Sequence, residues 1–246
     1  MRESAGDPGL LHLPQPLIVC RGVERTYGSP HARTVALAGI DLEIHAGEIV
    51  AVVGPSGSGK STLLHLVGAM DFPDRGSVLV GGRNLAGCGD GEASRFRREE
   101  VGFIFQFFNL IPSLSALDNV ALPARLAGHK ARDARARARG LLDRVGLGGR
   151  EDDFADAFSG GQQQRIAVAR ALVNHPQILL ADEPTGALDR RTGEEVLALL
   201  ASVARERGAI LLLATHNENA LAFASRMVRI EDGRVTADEK LAGGSG

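Results

Sequence analysis

The chain has 246 residues, 44% of them hydrophobic, and a formal net charge of −2 at pH 7. A chain of this length can bury a substantial core, either as one domain with an inserted lobe or as two small domains. The nearly balanced charge gives no general attraction to nucleic acid or acidic lipid, so we expect no nucleic-acid partner.

Cysteine use and hydropathy bear on the compartment. The two cysteines, Cys20 and Cys88, lack the paired spacing of a metal site or a disulfide framework, which favours a reducing cytoplasm. The longest apolar runs, such as residues 178–181 and 209–214, are too short to cross a bilayer, and the N-terminus has no basic-then-apolar signal pattern. Any action at a membrane is therefore expected to require another chain.

Short apolar runs separated by Gly-rich turns predict strands in the first half of the chain. They lie at residues 17–20, 35–44, 77–80 and 101–105. The alternating pattern of residues 35–44 is typical of a half-buried antiparallel strand, and the set predicts an antiparallel layer beside a parallel core. Residues 1–16 and 237–246 are predicted to form a flexible arm and a flexible tail.

Tyr27 is the only tyrosine, and there is no tryptophan. An aromatic side chain at this place can stack on a purine, which strengthens binding without reading much of the base edge. It can equally cap the edge of a small sheet, and spacing alone leaves the two interpretations open.

Residues 54–61, Gly-Pro-Ser-Gly-Ser-Gly-Lys-Ser, are the strongest motif in the chain. They follow a predicted buried strand at 49–53 and precede a predicted helix at 62–70, so backbone N–H groups and the positive end of the helix point at one anion. Lys60 can reach β- and γ-phosphates, and the Ser61 hydroxyl can bind Mg²⁺. The residues predicted to contact the nucleotide here are Gly54, Pro55, Ser56, Gly57, Ser58, Gly59, Lys60, Ser61 and Thr62.

Gln106 follows the predicted strand 101–105 and therefore lies where ligands collect in a parallel α/β protein. A dense apolar cluster comes next, at Phe107, Phe108, Leu110 and Ile111. These side chains either fill the core of a hinge or form a docking groove for a partner helix, and composition alone favours the core.

Residues 115–157 have a helical pattern that we expect to be broken at Pro123, at Gly128 and at 146–149. An all-helical block inside an α/β chain predicts a separate lobe. It carries a basic stripe, Arg132, Arg135 and Arg139, with Arg137 to one side. Such a stripe is more often a solvated face than a contact for phospholipid or a partner.

The sequence Ser-Gly-Gly-Gln at 159–162 precedes a helix whose Ile166, Ala169 and Val173 fall on one face. Ser159 is a good N-cap, and the glycines leave the first N–H groups open, so this is a second anion-binding helix start. One triphosphate fills one cradle. The second start is therefore either a site for another ligand or a site for nucleotide held by another copy of the protein. The alternative is an ordinary capped helix, which spacing alone favours.

Polar side chains end two further buried strands. The run 177–181 ends in Asp182 and Glu183, and the run 209–214 ends in Thr215 and His216. Asp182 is predicted to hold Mg²⁺ through its waters, Glu183 to position or deprotonate an attacking water, and His216 to contact a γ-phosphate. A predicted hairpin over 227–235 completes the sheet.

The order of these motifs resembles the ATP-binding subunit of the ABC transporter superfamily, over residues 17–236. Ser-Gly-Gly-Gln makes the match specific, since most other P-loop families lack it. The resemblance implies an α/β fold, with a P-loop NTPase (RecA-like) core, an antiparallel β subdomain, and an α-helical subdomain inserted at 107–158. It implies ATP and Mg²⁺ as ligands.

Residue roles follow from the resemblance. Tyr27 would stack the adenine, and Asp189, which ends the Ala-Leu-Asp sequence at 187–189, would lie in the loop that crosses between two subunits. The γ-phosphate of ATP held by the opposing subunit would be bound by Ser159, Gly160, Gly161 and Gln162. The implied catalytic residues are Glu183, His216, Gln106 and Lys60, and the implied metal ligands are Ser61, Gln106 and Asp182.

Finer motifs, at 108–120, 162–164 and 180–189, look like the subgroup of lipoprotein-releasing, macrolide-exporting and antimicrobial-peptide-resistance ATPases. That likeness implies a homodimer bound to an integral membrane permease on a separate chain, at the cytoplasmic face of the inner membrane. Phe158 departs from the leucine usual before Ser-Gly-Gly-Gln. An alternative is a non-transport ABC ATPase that regulates cell division, which would use the same parts.

Overall fold

The computed structural model describes residues 15–29 and 32–241. The predicted N-terminal arm up to residue 14 and the last five residues lie outside the described part. The strands are β1 Ile18–Ser29, β2 Ala32–Ile44, β3 Ile49–Val53, β4 Arg75–Val80, β5 Arg83–Asn84, β6 Val101–Phe105, β7 Ile178–Asp182, β8 Ile210–Thr215, β9 Arg226–Glu231 and β10 Arg234–Lys240.

In the part of the chain that the structure describes, six α-helices connect or flank these strands. They are α1 Lys60–Val67, α2 Asp90–Glu99, α3 Ala116–Leu126, α4 Ala131–Arg144, α5 Gly160–Leu172 and α6 Arg190–Arg207. Three short 3-10 helices lie at Leu85–Gly87, Ala155–Ala157 and Glu218–Phe223. No helix in the described ranges combines the length and the hydropathy needed to span a membrane.

The central sheet has the strand order β10-β9-β3-β8-β7-β6, parallel except for the β9–β10 hairpin. Its middle strands are apolar throughout because both faces are covered. In β3, Ile49, Ala51 and Val53 face one apolar cluster, whereas Val50 and Val52 face another. Alternation along a strand thus divides one apolar run between two cores.

The second sheet is antiparallel, in the order β2-β1-β4-β5. Its inner side chains and those of α1 share one core with β3, β7 and β8. A backbone hydrogen bond of 2.8 Å from Ala38 N to Gly233 O joins β2 to the β9–β10 turn. Helices α3 to α6 cover the other face of the central sheet, so the molecule has three layers.

Two strand predictions need correction. The segment 101–105 belongs to the parallel sheet as β6, where it pairs with β7, and not to the antiparallel layer. The predicted tail at 237–246 is wrong in its first part, because β10 continues to Lys240. Arg226 donates two hydrogen bonds of 2.7 Å to the Asp238 carboxylate, which ties this end of the hairpin to β9.

The helical block also differs from the prediction. Pro123 does not break the helix but lies inside α3, which continues to Leu126. The tertiary contacts explain this, since Val120, Ala121 and Ala124 around the proline are fully buried in the core. Packing of the apolar face therefore outweighs the loss of one backbone hydrogen bond.

Candidate active site

The carboxyl ends of four parallel strands form one edge of the central sheet, in the order β3, β8, β7, β6. The 54–59 loop follows β3, His216 follows β8, Asp182 ends β7 and Glu183 follows it, and Gln106 follows β6. The topology thus brings these predicted residues to one edge, which is where open α/β sheets bind ligands.

The loop 54–59 leads directly into α1, whose first three residues are Lys60, Ser61 and Thr62. A Cβ at Gly54 would collide with the Ile230 carbonyl oxygen, and one at Gly59 would collide with the Ala36 carbonyl oxygen. These glycines are therefore required by close approach to neighbouring backbone as well as by their positive φ angles. Ser58 Oγ is buried with no hydrogen-bond partner within the described chain.

Lys60 is buried, with 6% of its surface exposed. Its ammonium donates hydrogen bonds of 2.9 Å to the carbonyl oxygens of Gly54 and Pro55. The side chain therefore curves back along the loop, and its charge lies within the cradle.

Ser61 Oγ donates a hydrogen bond of 2.9 Å to Asp182 Oδ1. Burial raises the pKa of Asp182, and the nearby negative charge of Glu183 adds to this, while Ser61, His65 and Lys60 act in the opposite direction. A hydroxyl and a partly buried carboxylate are hard oxygen donors, which is the set that Mg²⁺ uses beside phosphates. The two residues fit the predicted metal site.

Glu183 and His216 follow the neighbouring strands β7 and β8 and lie side by side. The distance between Glu183 Oε1 and His216 Nδ1 is 2.9 Å. Glu183 has a positive φ of 47°, which is uncommon for a residue with a side chain. Its N–H nevertheless donates to Ala214 O at 2.9 Å, so β8 holds this strained turn in place.

Gln106 packs on the turn that follows Glu183. A Cβ built on Gly186 would lie 2.8 Å from Gln106 Nε2, so the glycine leaves room for the amide. This places Gln106 beside the Glu183 turn.

Gln164 has a structural role that the sequence analysis missed. It is fully buried in α5, and its Nε2 donates to Phe105 O at 3.1 Å and to Pro184 O at 2.7 Å. One amide therefore joins α5 to the ends of β6 and β7. The available signal was a polar residue on the apolar stripe that Val168 and Leu172 continue at helical spacing.

Tyr27 lies on β1 with 38% of its surface exposed. Its hydroxyl donates a hydrogen bond of 2.6 Å to Asp71 Oδ2, and the Arg25 guanidinium lies 4.8 Å from the ring centroid. Burial and the Asp71 bond raise the pKa of Tyr27, while Arg25 and Thr62 oppose the rise. The ring is thus anchored near the start of α1.

Residues 159–162 form the start of α5, as the sequence predicts. The Ser159 N–H donates to Gln162 Oε1 at 3.1 Å. A Cβ at Gly160 would touch the Phe108 ring, and one at Gly161 would overlap the Thr192 Cγ2 methyl group. Within the described ranges, none of these contacts is with residues 54–62.

The apolar cluster at 107–111 is divided. Phe108 and Leu110 are partly buried, as a core would require, but Phe107 is 71% exposed and Ile111 is 38% exposed. The core interpretation is therefore wrong for two of the four side chains. In the basic stripe, Arg135 pairs with Asp118 at 2.8 Å, which agrees with a solvated face.

The fold and this edge together define a P-loop ATPase. Comparison with known proteins then gives the family. The model of the ABC transporter family matches residues 37–186, more than half of the chain. The chain belongs to the ABC transporter family, and it is an ATP-hydrolysing cassette of that family.

Two individual relatives are informative. The chain is 50% identical over 224 residues to the pyoverdine export ATP-binding/permease protein PvdT of Pseudomonas savastanoi pv. phaseolicola, which covers 91% of this chain and 34% of that protein. It is 48% identical over 222 residues to the lipoprotein-releasing system ATP-binding protein LolD of Geobacter metallireducens, covering 90% and 99%. The chain thus spans about a third of the PvdT relative and nearly all of LolD.

Among solved structures, the ATP-binding cassette MJ0796, a dimer in a post-hydrolysis state bound to ADP and Pi, superimposes with a TM-score of 0.85. Its sequence is 40% identical, and the match covers 92% of this chain and 99% of that one. The α/β P-loop fold inferred from the sequence is confirmed.

Proposed function

We propose that this protein is the ATP-binding subunit of an export or lipoprotein-release complex, acting as a head-to-tail homodimer on a permease carried by a separate chain. It would work at the cytoplasmic face of the inner membrane. Its likeness to LolD over nearly the whole of both chains supports a separate ATP-binding subunit. The dimeric MJ0796 relative supports the assembly.

One observation carries the proposal. The chain has two anion-binding helix starts, at α1 and α5, and within the described ranges no hydrogen bond joins residues 159–162 to residues 54–62 of the same chain. A head-to-tail dimer would bring Ser159 of the partner subunit to the nucleotide bound at this chain's loop 54–59. Each site would then need both subunits.

In this arrangement Glu183 holds the attacking water and accepts its proton as the water oxygen bonds to the γ-phosphorus and the bond to the β-γ bridging oxygen breaks. His216, at 2.9 Å from Glu183, orients the carboxylate and faces the γ-phosphate. Lys60, together with Ser159 of the partner subunit, stabilises the charge on the transferred group. Gln106 lies beside the same turn.

Ser61 and Asp182 would hold the magnesium ion, with Gln106 as a further oxygen ligand. When bound, Mg²⁺ supplies positive charge next to the β- and γ-phosphate oxygens. The described residues contain no group of three or more His, Cys, Asp or Glu side chains suited to a metal. The remaining ligands would therefore come from phosphate and water, as is usual for Mg²⁺.

The test is Glu183→Gln, which keeps the shape of the side chain and removes the base. We expect ATP binding to persist, turnover to fall by about 10³-fold or more, and an ATP-dependent dimer to accumulate in size-exclusion chromatography with light scattering. Glu239→Gln, an exposed change at the end of β10, is the matched control and should leave all three measurements unaltered. Full residual turnover would refute the assigned base, and a monomer at all ATP concentrations would refute the shared site.

The partner can be sought with the same variant. Tagged Glu183→Gln protein, purified with ATP from detergent-solubilised membranes of its own cell, should bring down an integral membrane protein. Recovery of division proteins instead would support the alternative, a division regulator, and would leave the assignment of this protein as an ATPase unchanged.

A further inference from the structure

Arg150 is a residue that the sequence analysis did not single out, and its contacts concentrate on the segment that leads into α5. It lies in the loop between α4 and the Ala155–Ala157 turn, and its side chain is 37% exposed. Phe158, the residue that departs from the family's usual leucine, is 4% exposed and lies directly before Ser159. The two side chains meet.

The guanidinium carbon of Arg150 lies 4.2 Å from the centroid of the Phe158 ring, which is within the range of a cation–π contact. Arg150 Nη2 donates to the Ala157 carbonyl oxygen at 3.0 Å, and Nη1 donates to Gln162 Oε1 at 3.3 Å. That same Gln162 oxygen accepts the hydrogen bond from Ser159 N–H. One planar cation therefore contacts residues on both sides of Ser159.

Arg150 is itself held in place. Its Nε donates to Asp153 Oδ2 at 2.8 Å, and the backbone of this loop is paired with the start of α3 through Ala116 N to Asp153 O at 2.8 Å and Leu117 N to Glu151 O at 2.9 Å. The loop that carries Arg150 is therefore fixed to the helical block, and Asp153 orients the guanidinium. A leucine at 158 would keep the burial and lose the ring face.

We propose that Arg150 is a positioning residue. Together with the Phe158 ring that it contacts, it preorders the start of α5 for the nucleotide bound by the partner subunit. Preordering lowers the entropy lost when two copies close on ATP. The inference rests on the proposed function, because the segment it positions is the one offered to the opposing subunit. It predicts that Arg150 affects dimer closure and leaves nucleotide binding by the single subunit unchanged.

The first experiment compares Glu183→Gln with Glu183→Gln/Arg150→Met. Removing three hydrogen bonds from a charged donor at each of two shared sites should raise the dimer dissociation constant at saturating ATP by about tenfold or more. The dissociation constant of the monomer for ATP, measured below the dimerisation concentration, should change by less than about twofold. Arg132→Met, an exposed arginine on α4, is the matched control and should move neither constant.

The second experiment tests the ring. Phe158→Leu should raise the dimer dissociation constant by a smaller factor, about two- to fivefold for each of the two Arg150–Phe158 contacts in the dimer. In the Arg150→Met background the same change should have little further effect, since its partner is already gone. Arg150→Lys keeps the positive charge and loses the planar guanidinium with its several N–H donors. Its dimer dissociation constant should lie between those of the Arg150 parent and Arg150→Met.

With Glu183 intact, Arg150→Met should turn over slowly at low protein concentration and approach the parent rate at high protein concentration. A merely structural role would instead lower the rate at all concentrations, together with the melting temperature and monomer ATP affinity.

An unchanged dimer dissociation constant in Arg150→Met, or strictly additive effects with Phe158→Leu, would overturn the proposal. If Arg150→Met fails to fold, Arg150→Lys and Phe158→Leu decide in its place. If the Glu183→Gln parent itself stays monomeric with ATP, the proposed function fails and this inference fails with it.

Discussion

Asp71 shows how one side chain holds Tyr27, the residue that the family resemblance predicts to stack on the adenine. Its carboxylate accepts hydrogen bonds from Tyr27 Oη at 2.6 Å, from the Phe72 N–H at 2.8 Å, and from Arg25 Nε and Nη2 at 2.9 and 2.8 Å. Burial acts to raise the pKa of Asp71, but the bonds from Tyr27 and Phe72 and the charge of Arg25 outweigh it and lower the pKa. Tyr27 is thus held by an ionised partner.

Asp71→Asn should lower the free energy of unfolding at pH 7 by about 2 kcal/mol, because a charged acceptor of several bonds is lost. A depressed folded-state pKa stabilises the fold above the unfolded pKa of about 3.9, and this stabilisation is lost as the pH falls through the folded value. The difference between Asp71→Asn and the parent should therefore shrink below about pH 4. Urea unfolding at pH 7, 5 and 3 measures it.

Asp152→Asn, at an exposed position, is the control and should track the parent at each pH. A difference between Asp71→Asn and the parent that stayed constant down to pH 3 would contradict the assigned ion pair. It would point to loss of packing in place of loss of charge.

At the scale of elements, the contact of α5 with α6 explains a glycine in the Ser-Gly-Gly-Gln sequence at 159–162. Thr192 Cγ2 of α6 approaches Gly161 at the point where a Cβ would lie. A Cβ built on Gly160 would instead lie 3.4 Å from the Phe108 ring and 3.5 Å from Leu188, which are ordinary contact distances. The family resemblance implies that both glycines leave N–H groups open for an anion, whereas spacing alone favours an ordinary capped helix. The structure adds a packing requirement to one of them.

Gly161→Ala should destabilise the protein by about 1–3 kcal/mol, because the new methyl group overlaps the Thr192 methyl group. Gly160→Ala is the matched control and should be neutral or slightly stabilising, since alanine favours helices. Thr192→Ser removes the obstructing methyl group and should restore most of the stability of Gly161→Ala. Thermal unfolding of the four proteins measures this, and equal losses for the two alanine variants would refute the packing explanation.

At the scale of the whole molecule, a groove of about 500 Å³ lies between α2, β6, α3 and α5. Arg97, Arg98 and Arg170 line it together with apolar side chains such as Phe103 and Leu126. Exposed Phe107 follows the same strand, and Gln106 links this region to the Glu183 turn. We propose that the cytoplasmic helix of the membrane partner docks here, so that its movement reaches the catalytic edge.

Phe107→Glu should prevent the permease from stimulating ATP hydrolysis while leaving basal hydrolysis by the isolated subunit within about twofold. The reason is that an exposed apolar side chain contributes to an interface and little to the fold. Val35→Glu, which changes an equally apolar side chain that is 57% exposed on β2, is the matched control. Co-purification and ATPase assays with the partner measure both, and an unchanged complex with Phe107→Glu would reject the docking surface.

The parts whose chemistry is local could be predicted from contiguous stretches of sequence. The loop 54–61, the ends of β7 and β8, and the Ser159 helix start are contiguous motifs, and period-two and period-3.6 patterns placed most strands and helices. Local spacing could not decide features that depend on distant segments. The continuation of α3 through Pro123 depends on burial against other helices. The last residues of β10 are held through the hydrogen bonds from Arg226 to Asp238.

The contacts that hold these motifs in place depend on the folded arrangement of distant segments. Gln164 reaches Phe105 and Pro184 across 59 and 20 residues, and Arg150 reaches the start of α5 from a loop with no motif of its own. Such contacts join side chains whose separation along the chain carries no periodic signal. Their partners are set by the packing of α3, α5 and the sheet, which no single segment encodes.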